Sequence, residues 1–449
     1  MILTNFKDKL FDEGKKQGFK DMEIYFQRSD SLKVKIFNKE VDNYSVSDSS
    51  GLSFRGTFND KMGYSYTEKI DDSSIEMLIN EAKENAQIIE DKDVVEIFSG
   101  SPSYSEFDGY HKELEEFTAE KIITFAKDLE QEALQLDKRV VSVNMCQVAK
   151  DVGEKLIANS KGLEKSAKYN LAYCVVSVVV KEGESVKSDM EIVATTELKD
   201  FDAKKVAQEA VDKAVSALGA SSVKSKNYPV IIKNTTAANL LATFSSTFSA
   251  ESVQKDLSLL KGRIGEKIAN ELVTIVDDPL YKKGLMSTPF DAEGVATYTK
   301  NVVENGRLKT FLHNLKTARK DGVQSTGNAS KASYKGAIGI APTNMFIKPQ
   351  SKEYDGMVKD LDEGLIITSL QGLHSGANTV SGDFSLAAAG YLVENGKLVR
   401  PVDQITIAGN FFEVINDIEE IGSDLKFGIP QNGYIGSPSI KIKKIAVSG

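Results

Sequence analysis

Turn-forming residues are spread very unevenly along this chain, and that unevenness constrains its fold more than any other feature. Eight of the nine prolines lie at or after Pro229, and 22 of the 33 glycines lie after position 225. Proline removes a backbone donor and glycine weakens regular elements, so long helices and strands are expected in the first half. Short strands and tight turns are expected in the second. With 449 residues, 41% of them hydrophobic, there is material for more than one core. We expect a multi-domain α+β protein. Residues 1–110 and 111–224 form two mixed strand and helix units, and 225–449 form a β-rich C-terminal domain.

Periodicity fills in these units. Residues 2–18 read as a helix, and 23–27, 33–37, 41–46, 51–58 and 63–67 read as strands, with a turn at Asn59–Asp60. A helix follows Ser73, with Glu76 completing a capping box and an apolar stripe of Ile75, Leu78, Ile79, Ala82, Ala86 and Ile89. The middle unit repeats the theme. A helix after Thr118 presents Ile122, Phe125, Ala126, Leu129 and Ala133, strands occupy 140–148, 154–158, 168–181 and 187–196, and a helix spans 202–218. The segment from Leu78 to Ala86 aligns with that from Val206 to Ala214 through a shared EAxxxA core, which hints at a duplicated unit. In the last domain a strand at 230–232 precedes a helix through 237–244. Asn305–Gly306 and Asn395–Gly396 signal hairpins, and the state of 257–268 is left open by Gly262 and Gly265.

Composition excludes several classes of function. The net charge is -9, which repels phosphate backbones, so direct nucleic-acid binding is not expected. Cys146 and Cys174 form no CxxC pair and lie in apolar runs, as small buried hydrophobes do. The N-terminal stretch carries Lys7, Asp8, Lys9, Asp12 and Glu13, unlike a signal peptide. The longest mainly apolar run, 171–180, is far short of the roughly 18 residues of a membrane span. The expected setting is cytoplasmic, with no membrane contact.

The search for chemistry finds fragments only. His111, His313 and His374 are the three histidines, and none sits at metal-ligand spacing. The turn Gly372-Leu-His-Ser-Gly376 has histidine where a nucleophile elbow needs serine, and Ser252-Val-Gln-Lys255 matches a short SxxK pattern without partner motifs. No phosphate-binding glycine loop is present. Asp277–Asp278–Pro279 ends an apolar strand, where a turn is the favoured reading over a cation site.

A set of C-terminal segments is more specific. They are Gly262-Arg-Ile-Gly-Glu266, the strand ending at Asp277-Asp-Pro279, Phe290-Asp-Ala-Glu-Gly-Val295, and Asn305-Gly-Arg-Leu308. They continue with the run from Leu315 to Asn328, then Ser381-Gly-Asp-Phe-Ser385, Gly390-Tyr-Leu-Val-Glu-Asn-Gly-Lys397 and Ile421-Gly-Ser-Asp-Leu425. In this order they resemble the TldD/PmbA family, long labelled modulator of DNA gyrase, across essentially the whole chain. The resemblance implies two branches. TldD-type chains carry an HExxxH helix after a short apolar strand and a cysteine near the C-terminus, which together hold zinc, with the glutamate as general base. PmbA-type chains, also called TldE, lack these groups and pair with TldD. Here the matching helix segment, 233–244, contains no His or acidic residue, and 426–436 contains no Cys. The chain is similar to the PmbA/TldE branch.

Membership of that branch would imply a non-catalytic subunit of a zinc metallopeptidase acting on unfolded or leader-type peptides. Such a subunit would have no cofactor, no catalytic residue and no metal ligand of its own, and zinc would reside in a TldD-type partner. The alternatives are a stand-alone homodimeric peptide-binding protein, or a hydrolase built around His313, His374 and nearby carboxylates. As a peptide- or partner-binding surface we single out Arg319, Ser325, Thr326 and Asn328, with His374 as an outlying member. Arg319 suits a carboxylate, and the other three present donors and acceptors beside Gly327.

Overall fold

The protein is described by a computed structural model covering residues 2–88 and 96–449. The first half consists of α1 (Ile2–Lys16), β1 (Met22–Phe37), β2 (Glu40–Phe58), β3 (Lys61–Thr67), α2 (Ile75–Ile88), α3 (Ala119–Gln135), β4 (Val140–Asn159), β5 (Glu164–Glu182), β6 (Ser185–Thr195) and α4 (Ala203–Ser216). The strands form one sheet in the order β3-β2-β1-β4-β5-β6, every pair antiparallel. The helix–strand–strand–strand–helix unit therefore occurs twice, and its two copies join along β1 and β4, with Leu32 opposite Lys150 and Gln27 opposite Lys155. One sheet thus crosses the division drawn at 110/111.

The hinted duplication is visible in packing as well as order. Leu78, Ile79, Ala82 and Ala86 of α2 are buried, and so are their aligned counterparts in α4, Val206, Ala207, Ala210 and Ala214. Ile89, the last member of the stripe read for α2, lies outside the described residues. The alanines let helix and sheet approach closely. A Cβ placed on Gly63 would stand 2.0 Å from the Ala82 carbonyl oxygen.

The second half comprises β7 (Lys226–Ile232), α5 (Asn234–Phe244), α6 (Ala250–Gln254), β8 (Ile275–Asp277), β9 (Lys300–Glu304), β10 (Arg307–Leu308), α7 (Leu315–Asp321), β11 (Ala329–Ser330), β12 (Gly339–Ile340), β13 (Asn344–Ile347) and α8 (Tyr354–Lys359). It ends with β14 (Glu363–Gln371), β15 (Asp383–Glu394), β16 (Lys397–Asn410), α9 (Phe411–Asn416), β17 (Ile418–Ile421), β18 (Lys426–Phe427), β19 (Tyr434–Ser437) and β20 (Ile440–Ser448). One sheet has the order β16-β15-β14-β7-β20-β17, and β16 also pairs with β20, so five of its strands close into a barrel. The second has the order β10-β9-β8-β13-β19-β18. Closure removes exposed edges. The largest apolar cluster fills this domain and includes Phe244, Phe248, Phe384 and Phe411, with the Phe244 and Phe411 rings stacked at 4.7 Å.

Both Asn-Gly hairpins form, with positive φ at Asn305, Gly306, Asn395 and Gly396. The segment left open at 257–268 is a series of turns, with Gly262 and Gly265 at φ 76° and 86°. The multi-domain α+β reading holds. The strands of the first half are longer than the separate pieces read from alternation, because their middle stretches are solvated and lose the apolar/polar period.

Candidate functional site

The two segments that the family resemblance singles out, 233–244 and 426–436, are neighbours here. The α5 helix follows β7 directly and packs against β18 and β19, the strands that flank residues 428–433. The meeting is close, since a Cβ placed on Gly428 would lie 3.2 Å from Asn239 Oδ1. The outward face of α5 carries Asn239, Ala242 and Thr243, and the Thr243 hydroxyl already donates to the Asn239 carbonyl. Zinc takes thiolate, imidazole or carboxylate ligands. An amide, a methyl and a spent hydroxyl facing a glycine do not fit it. Nor do the described residues bring together three or more His, Cys, Asp or Glu side chains able to hold a metal ion.

The entrance to α5 is instead a cluster of charges. Glu191 of β6 is buried and bonded to both Lys213 of α4 and Lys426 of β18, the latter at 3.4 Å. Burial works against its negative charge, but the Lys213 and Lys426 ammonium groups together outweigh that, so the Glu191 carboxyl titrates below its ordinary range. Burial lowers the neighbouring Lys233, which stands 5.9 Å from the Tyr354 ring. Asp424 closes the group, accepting from Asn234 Nδ2 at 3.1 Å and from Ser439 Oγ at 2.7 Å.

A second charged assembly lies where the loop 290–295 meets the N-terminal sheet. Arg55 of β2 donates to Glu23 of β1 at 2.7 Å and stands 3.9 Å from Glu293. Glu293 accepts from the Leu315 backbone N–H at 2.8 Å. Asp291 accepts three backbone N–H groups, from Glu293, Val295 and Ala329, at 2.9, 3.0 and 3.0 Å. Lys155 of β4 donates to Thr288 Oγ1 at 2.7 Å. Lys331 donates to Ser53 Oγ at 2.5 Å, with its ammonium 4.9 Å from the rings of both Tyr25 and Tyr64. Burial pushes the Asp291 and Glu293 carboxyls up, to about 6 and about 7. It pulls Lys155 and Lys331 down, to about 8 and about 7. Arg55 is the one cation of the cluster whose charge is reinforced, by Glu23 and Glu293 beside it.

The residues singled out from sequence are only partly brought together. Thr326 and Asn328 are buried in a continuous network rather than displayed. Thr326 Oγ1 accepts from the His313 backbone N–H at 2.6 Å and donates to Asn328 Oδ1 at 2.8 Å. Asn328 Nδ2 donates to Asp277 Oδ2 at 2.8 Å, and Lys300 Nζ reaches Asn328 Oδ1 and Asp277 Oδ2, both at 3.1 Å. Asp277 is thus the acceptor at the centre of an internal lattice. Ser325 is half-buried and donates to the His313 carbonyl at 3.2 Å. Arg319 lies on α7, about half exposed, and meets Glu96 at 3.1 Å. His374 is exposed in the turn after β14, and no hydrogen bond between described residues links it to this network. His313 is buried, with Nδ1 lacking a hydrogen-bond partner among the described residues, and burial lowers its pKa. The histidines therefore belong to separate environments. Sequence reasoning gave Phe290-Asp-Ala-Glu-Gly-Val295 no chemical role, and it missed Arg55, Glu191 and Lys331. The burial of Asp291 and Glu293, which marks this loop, is visible only in the fold.

Three domain patterns of one family cover most of the chain. "PmbA/TldA metallopeptidase domain 1" matches residues 22–86, the central domain 112–218, and the C-terminal domain 225–449. A protein of Haemophilus influenzae named metalloprotease PmbA homolog is 27% identical, the match covering 95% of this chain and 92% of that one. Among solved structures, a Thermotoga maritima protein titled as a modulator of a DNA gyrase is 34% identical, with a TM-score of 0.91 over 99% of this chain and 100% of its own. TldE from Thermococcus kodakarensis is 25% identical, with the same TM-score and the same shares covered. A barrel domain joined to a duplicated sheet domain is the architecture these proteins share. The chain belongs to the PmbA/TldD family.

Proposed function

We propose that this chain is a non-catalytic subunit of a TldD/TldE-type metallopeptidase, supporting the hydrolysis of unfolded peptides by a metal-bearing partner. One observation carries the reading. The α5 helix and the 428–433 segment meet as a metal site would require, yet they present Asn239, Thr243 and Gly428, which supply neither ligands nor a general base. The similarity to TldE supports the same branch. The work left to such a subunit is to complete a shared enclosure and admit extended chains. The charged entrance around Glu191, Lys213, Lys233 and Lys426 is one place where a peptide's carboxylate and amide groups would be held. No described helix is long and apolar enough to cross a membrane.

The test is reconstitution. The purified chain is assayed against a denatured protein substrate alone, then after mixing with a TldD-type subunit encoded by the same genome. Zinc is measured by elemental analysis in parallel. We expect less than about a tenth of a zinc per chain, since a three-ligand site retains its metal. We also expect hydrolysis only in the mixture, above that of the partner alone. Hydrolysis by the isolated chain, with close to one zinc bound, would sink the proposal.

A further inference from the structure

The charged cluster at the start of α5 is not matched group by group. Its acids are spoken for. Glu191 is taken by Lys213 and Lys426. Asp424 accepts from Asn234 Nδ2 at 3.1 Å, from the Ser439 backbone N–H at 2.9 Å and from Ser439 Oγ at 2.7 Å. Asp189, two residues before Glu191 on β6, accepts from the Met190 backbone N–H at 2.7 Å and has the Lys213 ammonium near it. The first N–H groups of α5 are also satisfied from within. Asn234 N–H donates to Ser439 Oγ at 3.1 Å, and Thr235 N–H to Asn234 Oδ1 at 2.7 Å.

Lys233 is the cation left over. Its backbone N–H donates to the Ile367 carbonyl at 3.0 Å, which fixes the root of the side chain. The side chain is half-buried, and among the described residues its ammonium makes no hydrogen bond or ion pair. Burial lowers its pKa first. The Lys213 and Lys426 ammonium groups then lower it by more than Asp424 and Glu191 raise it, so Lys233 sits in a positive field. The Lys213 and Lys426 side chains are 42% and 46% exposed, so the cluster is open to a ligand. Lys426 belongs to β18, which leads directly into 428–433, so the cluster borders the candidate site.

We infer that Lys233, with Lys426 beside it, binds a carboxylate of the peptide, so that chains bearing an acidic side chain or a free C-terminus at this point are preferred. This rests on the reading of the chain as a peptide-handling subunit and names the kind of peptide. An ionised carboxylate only accepts, and its two oxygens take several ammonium donors at once. Its charge also answers the positive field, which a peptide carbonyl or a neutral amide would leave in place. Hydrogen bonds between ionised groups are roughly twice as strong as neutral ones. Lys233 therefore acts as a specificity determinant, while Lys213 and Lys426 keep Glu191 occupied.

Isothermal titration of the full chain with short unstructured peptides is the experiment. The peptides differ only in carrying Asp or Asn at the centre and a free or amidated C-terminus, which separates the two sources of the carboxylate. At low ionic strength an acidic form should bind about tenfold more tightly than its neutral counterpart, and salt should shrink the ratio. A ratio that follows the terminal acid alone identifies the end of the peptide as the group held. Lys233→Met should bring the ratio close to one, and Lys233→Arg should restore it. The Lys233 ammonium has no partner to lose, so the Met variant should melt with the wild type. Lys16→Met, at an exposed position on α1, should leave the ratio as it is. Equal binding of acidic and neutral peptides overturns the inference, as does a preference that survives Lys233→Met. The two readings fail separately. Partner-dependent hydrolysis without acid preference leaves the subunit role standing and removes this inference. An acid preference lost in Lys233→Met, without such hydrolysis, keeps the carboxylate site and removes the subunit role.

Discussion

Replacing Glu293 by Gln tests the buried charge cluster through the sign of a stability change. Burial raises the Glu293 carboxyl from 4.5 to about 7, against the opposing pull of Arg55. A group whose folded-state pKa is raised contributes stability that is fully present below pH 4.5 and lost as pH rises through about 7. The shift corresponds to about 3 kcal/mol at most, at 1.36 kcal/mol per pKa unit. Glutamine mimics the protonated acid and can still accept from the Leu315 N–H. The variant should therefore match the wild type near pH 5 and exceed it by up to about 3 kcal/mol near pH 8. The chain has no Trp, so guanidinium unfolding is followed by far-ultraviolet circular dichroism, and the two proteins are compared at each pH. If Glu293 is instead ionised and held by Arg55, the same substitution removes one partner of a buried pair and costs about 3–5 kcal/mol at pH 8. A less stable variant at pH 8 refutes the reasoning outright.

Other perturbations have equally definite outcomes. Lys331→Met should flatten the alkaline arm of the same stability profile, because a lysine lowered from 10.5 to about 7 contributes stability present above pH 10.5 and lost as pH falls through 7. Asn328→Leu leaves Asp277 and Lys300 without their shared amide and should cost about 3 kcal/mol in chemical unfolding, whereas Ser325→Ala at the half-buried position nearby should cost about 1. Gly63→Ala would drive a Cβ to within 2.0 Å of the Ala82 carbonyl, so a loss of about 3 kcal/mol and a lower Tm are expected. Phe244→Ala should cost about 3–5 kcal/mol, measured the same way, by opening a cavity against Phe411.

Legibility in the sequence followed the range of the forces involved. Local signals were readable. Asn59–Asp60, Asn305–Gly306 and Asn395–Gly396 adopt the positive φ that their hairpins need, and the stripe of α2 through Ala86 is the buried one. Asn38–Lys39 turns the first hairpin with positive φ as well, but lysine there carries no turn signature. The six- and seven-residue helices α7, α8 and α9 are too short to show a period, although Asn314 and Thr317 form a capping box at α7 with threonine in place of the usual acid. Barrel closure depends on β7 lying parallel to β14 and antiparallel to β20, pairings between segments far apart in the chain. The buried acids were unreadable for a related reason. Asp291 and Glu293 look like surface residues until Arg55 and Lys155 are placed beside them by the fold.

Under the function proposed above, the α5 helix shows how a fold can be kept while its outward residues change. Thr236, Ala237, Ala238, Leu240, Leu241 and Phe244 are buried, and Phe244 anchors the aromatic stack of the barrel domain. Asn239 and Ala242 are exposed, and Thr243 is half-buried beside them. Residues three and four apart share a face, so the helix has a buried side and an outward side that vary independently. Changing the outward groups to Asn, Ala and Thr leaves the core contacts untouched, and neutral groups there cost little because water still reaches them. Near Glu191 no such freedom exists. That carboxylate is buried between the more exposed Lys213 and Lys426, and removing both lysines would strand its charge at the join of the two halves. The charged entrance is therefore constrained by stability, whereas the outward face of α5 is not.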